Sequence, residues 1–129
     1  MQKGVSPGPG PRLVDGDFVN GIAEGLNRNY ASGIVAHAGG GQANAFQLPA
    51  GVNFLEVDTV ANADDSVMLP AAEAGVELTI FNSTANSANV FAQAGTDVIN
   101  RLANNAAIAV ASGATLRFIC AKDGQWSAA

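Results

Sequence analysis

Apolar positions along this chain come mostly in short runs with period two, separated by Gly, Asn, Asp, Ser and Pro. From residue 34 onward the candidates are 34–37, 44–48, 52–58, 66–69, 76–82, 89–92, 97–99, 106–110, 115–120 and a closing Gln125-Trp126. β-branched and aromatic residues dominate them, and alternation of this kind specifies strands with two distinct faces. Before them, Phe18, Ile22 and Leu26 recur at four-residue spacing with Val19 alongside. That spacing predicts one short helix over 17–30, which Asp15 or Asp17 could cap and which Gly21 and Gly25 weaken. Residues 1–16 alternate Pro7, Pro9 and Pro11 with Gly8 and Gly10 and read as an extended arm. The expected organisation is an arm with helix over 1–33 and a β domain over 34–129.

Many short strands with no helix-length segment between them favour antiparallel pairing. The expected fold is therefore mainly β: an antiparallel β-sandwich or small, jelly-roll-like barrel with an extended N-terminal arm and one short helix. An internal echo is visible. Leu48-Pro49-Ala50-Gly51-Val52 recurs as Leu69-Pro70-Ala71-Ala72-Glu73-Ala74-Gly75-Val76 and more loosely as Val110-Ala111-Ser112-Gly113-Ala114. Its irregular length argues against a solenoid and for one hairpin-like connection used three times. The strand faces are mixed: Leu55 and Val57 lie opposite Phe54, Phe81 opposite Ile80, and Ile119 opposite Phe118. A one-sided sheet in water alternates more cleanly. Leu55, Val57, Phe81 and Ile119 are accordingly expected at an interface between copies.

Composition sharpens this picture. Hydrophobic residues make up 48% of 129 residues, but aromatics only 6%, so the core is thin and rich in Ala. Charged residues are 13%, about half the usual share, with a net charge of -5. Arg12, Arg28, Arg101, Arg117, Lys3 and Lys122 are scattered. Nucleic-acid binding, which needs clustered cations, is not expected. No apolar run reaches membrane-spanning length and no signal core opens the chain, so the expectation is synthesis in a cytosol without a membrane anchor. A surface so poor in charge suits burial against other protein.

Candidate chemistry is sparse. His37 is the single histidine and has no Gly-x-Ser-x-Gly partner. Asp58, Asp64 and Asp65 could form a carboxylate pair or a calcium site, but turn composition surrounds them and no twelve-residue Asp-Gly calcium loop is present. Gly39-Gly40-Gly41 lacks the Lys-Ser/Thr of a phosphate loop. Cys120 allows no internal disulfide and reads as a small buried residue. Trp126 could stack on a sugar, though packing over the core edge is the simpler reading. No catalytic residue, metal or cofactor is expected.

The phrases Val67-Met68-Leu69-Pro70, Val76-Glu77-Leu78-Thr79-Ile80-Phe81-Asn82, Gly95-Thr96-Asp97-Val98-Ile99-Asn100 and Gly124-Gln125-Trp126 share a rhythm. So does Leu13-Val14-Asp15-Gly16-Asp17-Phe18 near the start. The whole resembles structural proteins of tailed-bacteriophage virions. That resemblance implies a head decoration (cement) protein, made in the host cytoplasm and bound to the outer capsid surface. It would act as a homotrimer that stabilises the major capsid protein shell. Pro7, Pro9, Pro11, Phe18, Val19, Ile22 and Leu26 would dock on the capsid. The alternative it implies is a fibre or tail β-domain that binds host-surface carbohydrate. The absence of an evident fibre-forming repeat favours decoration.

Overall fold

The computed structural model describes residues 29–39 and 41–129. Ten strands carry the fold: β1 (Tyr30–Val35), β2 (Phe46–Gln47), β3 (Phe54–Thr59), β4 (Ser66–Met68), β5 (Glu77–Asn82), β6 (Ala88–Phe91), β7 (Val98–Ile99), β8 (Ile108–Val110), β9 (Thr115–Lys122) and β10 (Gln125–Ala128). A 3-10 turn over Gln42–Asn44 is the one helical element among the described residues. Each strand run read from the sequence overlaps one of these strands. β1 begins at Tyr30, before the expected domain boundary at 34 and inside the span assigned to a helix. The rest of that helix, and the arm, lie outside the described residues.

The pairing overturns the sandwich and barrel reading. From β1 to β9 successive strands alternate between two sheets, ordered β1-β3-β5-β9-β10-β7 and β2-β4-β6-β8. Within each sheet the first three strands run parallel. In the large sheet Tyr30 lies beside Phe54, and Phe54 beside Thr79. In the small one Phe46 lies beside Val67, and Val67 beside Val90. Each step across a sheet therefore advances the chain by a similar length, which is one full turn. The chain is a β-solenoid of about four turns. Parallel strands need a crossover of a dozen or more residues, usually a helix. Here the crossover is a corner, a strand of the opposite sheet, and a second corner. Its local sequence is strand–turn–strand, the same as a hairpin's.

Winding stops at the C-terminal end. β8 pairs antiparallel with β6, and β9 antiparallel with β5. β10 folds back on β9 and then pairs parallel with β7.

Side chains stack between the sheets rung upon rung. Leu48, Leu69 and Ala92 each come directly after the paired strands β2, β4 and β6, and all three are buried. Leu55 and Ile80 pair across β3 and β5 and are fully buried, as is Val57. At about 25 cal/mol per Å² this stacking supplies most of the stabilisation available to a core with few aromatics. Trp126 and Phe118 are the largest buried side chains and fill the closing end.

Asn82 is a fully buried polar residue that continues the row of Ile34 and Val57. Its Nδ2 donates to the carbonyls of Asn86 (2.7 Å) and Val110 (2.9 Å). Its Oδ1 accepts from the Thr84 amide (3.0 Å) and hydroxyl (2.7 Å). All four hydrogen-bonding positions of the amide are filled, which is the condition for burying one without penalty. The bond to Val110 joins the wound strands to β8.

Candidate docking surfaces

The corner that follows β2 and β4 carries the most distinctive surface. The Leu48 amide donates to Met68 (2.9 Å) and the Leu69 amide to Phe91 (2.8 Å), and these are the last ladder bonds of their strands. Pro49 and Pro70 follow directly, and proline has no N–H with which to continue a ladder. The chain leaves the small sheet there and turns at Gly51 (φ 80°) and Gly75 (φ 92°), a backbone region that favours glycine. The repeated corner leaves an open trough of about 600 Å³ walled by Phe46, Leu48, Pro49, Ala50, Pro70 and Ala71. Its lining is almost wholly apolar, and Phe46 is 42% exposed. The trough runs on past Gly51 and Val76 to Glu73, the one carboxylate on that stretch.

The outward face of the large sheet is the second candidate. Register sets Tyr30 beside Phe54, and both are exposed. Phe54 sits beside Thr79, and Thr79 beside Arg117. Arg117 pairs with Glu77 at 3.4 Å, more than half exposed on both sides, and so contributes little to stability.

The residues expected at an interface separate into two groups. Phe81 and Ile119 lie on the outward face and are half-buried by neighbours within one chain. Leu55 and Val57 point inward with no exposed surface, so a second subunit does not reach them. They leave the interface set, because the faces of β3 are the reverse of those assigned from its mixed composition. Pro7, Pro9, Pro11, Phe18, Val19, Ile22 and Leu26 lie outside the described residues.

The candidate chemistry is taken up by structure. His37 forms an isolated backbone bridge with Ser66, and its side chain is exposed. Asp58 and Asp64 are exposed, and Asp65 is buried. The Asp65 carboxylate accepts the amides of Asn62 (3.1 Å) and Gly39 (3.3 Å), clamping two corners together. Asp97 is also buried and accepts the Ala72 amide (2.8 Å). No group of three His, Cys, Asp or Glu among the described residues could hold a metal ion. The Cys120 thiol donates to the Lys122 carbonyl (3.0 Å), and burial pushes its pKa up. A thiol held protonated is a poor nucleophile. Trp126 is buried and offers no platform for a sugar ring.

Phe46, the paired corner prolines and the Tyr30–Phe54 row were not singled out as a surface from the sequence. Two signals point to them. The Leu-Pro step of the echo recurs at Leu48 and Leu69, one turn of the coil apart. Asn29-Tyr30 is matched by Asn53-Phe54 on the next turn. The Asn53 amide donates to Asn29 (3.0 Å) and the Thr79 amide to Asn53 (2.8 Å), so these asparagines open successive rungs.

The fold and these surfaces define a class: a β-solenoid module with a closed C-terminal end and apolar ground on its flank. No family model, curated protein or solved structure matches the chain.

Proposed function

We propose that this chain is a non-catalytic structural module that works by docking on copies of itself and on a larger protein surface, as a bacteriophage head decoration protein does. The observation that carries the reading is the Phe46–Pro49–Pro70 trough. It is open and apolar. Its shape is fixed by ladder bonds and proline on two successive rungs. Exposed apolar ground rimmed by polar residues marks protein-interaction sites. Low charge and the virion-like sequence rhythm point the same way. The work done would be mechanical, since a ligand of the assembled state stabilises it by mass action.

A direct test is the dependence of thermal midpoint on protein concentration. Association stabilises the folded state, so the midpoint should rise with concentration for the native chain. Phe46→Asp should flatten that dependence. A native midpoint that stays constant across concentrations contradicts the proposal.

One observation favours a second reading, a fibre or tail β-domain. A solenoid is itself a repeat, so the argument against a fibre from lack of repetition no longer holds. Tyr30 and Phe54 offer this reading an exposed aromatic pair. Binding to a glycan array that Tyr30→Ala abolishes would favour it over decoration.

A further inference from the structure

At the closing end, β9, β10 and the turn after β7 surround a depression of about 340 Å³. Arg101, Lys122, Asn100, Gln125, Trp126 and Ser127 line it, and no carboxylate does. The cationic side chains among the described residues are Arg101, Arg117 and Lys122. Arg117 faces Glu77; the other two both line this depression, on a chain whose net charge is -5. The nearby acids are engaged elsewhere. Asp123 accepts the Ala74 amide (2.9 Å) and Asp97 the Ala72 amide (2.8 Å).

Arg101 is held in place at a conformational cost. Asn100 and Arg101 both have positive φ, 54° and 64°, although neither is glycine. The Asn100 Oδ1 accepts the Ala128 amide (2.9 Å) and the Asn100 amide donates to Trp126 (2.8 Å), which locks the turn onto β10. Strained non-glycine residues concentrate at ligand clamps.

We propose that this depression binds one oxyanion group, a carboxylate, sulfate or phosphate, carried on a small molecule. The Arg101 guanidinium supplies a planar fork that matches two oxygens, and Lys122 adds a point charge. Gln125 and Ser127 offer neutral polar groups for the carrier. The site opens to water, so binding weakens as salt rises. This inference depends on neither the capsid nor the fibre reading.

The test is a titration of the full chain with sodium sulfate, with sodium glucuronate and with glucose, at constant ionic strength held with sodium chloride. Trp126, the only tryptophan, reports by fluorescence, and backbone amide shifts report by NMR. Saturable binding of sulfate or glucuronate is expected, and none of glucose. Preference for glucuronate would identify an acidic sugar as the source of the oxyanion, and equal affinity a free anion. Arg101→Gly suits the positive φ, so it removes the charge without threatening the turn. It should weaken binding by at least about tenfold. Lys122→Gln should weaken it less, and Arg117→Gln not at all. A response that never saturates, equal affinity in Arg101→Gly, or glucose binding as well as glucuronate would overturn the assignment.

Discussion

The strands from β1 to β6 and those from β7 to β10 solve different problems with the same kind of sequence. The first set winds. Its residues meet their equivalents one turn further along the chain, so Leu48, Leu69 and Ala92 occupy one place on successive rungs. The second set ends the winding. β8 and β9 reverse direction against the last parallel strands, and Trp126 and Phe118 close the interior. The difference is one of coupling. In a wound array each rung is stabilised mainly by its neighbours. The closing end reaches back further along the chain, as where β9 pairs with β5 and sets Ile119 beside Glu77. The apolar trough belongs to the winding part and the cationic depression to the closing part.

This contrast can be broken by substitution. Leu69→Ala empties a fully buried site on the middle rung and should cost about 3–4 kcal/mol in chemical denaturation. Amide exchange should then rise in β2, β4 and β6 and change least in β10. Equal loss of protection throughout would show that the two parts unfold as one. Asn82→Ala removes all four bonds of the amide that joins them. It should cost about 2–3 kcal/mol and expose β8 to exchange before β3. Asp97→Asn keeps the volume but weakens a charge-assisted bond to the Ala72 amide, with an expected cost of about 1–2 kcal/mol.

Cys120 gives the smallest effect, and it depends on pH. Burial raises its thiol pKa in the folded chain. Above about pH 8.5 the unfolded chain therefore loses this proton more readily than the folded one. Stability is intact below that pH and falls as pH rises beyond it. Cys120→Ala should remove that part of the alkaline slope in a series of denaturation curves. An unchanged slope would place its origin elsewhere.

Much of the strand content was legible because period-two alternation and Gly/Pro punctuation are local signals. The pairing was not. Whether β3 pairs with β4 or with β1 and β5 depends on residues a full turn away in sequence. The echo did contain the winding, in Leu48 and Leu69 and in Gly51 and Gly75. Its second copy carries an insertion, Ala72-Glu73-Ala74, before the glycine. The added length is absorbed at the corner without disturbing the ladders, so the repeat looks irregular while the rungs stay in register. Mixed strand faces were read as a sign of a second subunit at Leu55 and Val57. In a two-sheet coil the inward rows are mostly apolar, and half-buried residues such as Phe81 and Ile119 arise within one chain. The Pro49 and Pro70 wall of the trough was visible as punctuation; that the two stack side by side follows only from the winding. Arg101 and Lys122, well separated in sequence, looked like scattered charge until β7, β9 and β10 came together.

On the proposed function, the flank of this coil is covered by protein in the assembled state. Sedimentation equilibrium of the native chain beside Phe46→Asp tests it most directly. The account predicts reversible association of the native chain and a monomeric variant with the same fold. A native chain that stays monomeric up to high concentration, with its trough solvated, would contradict it.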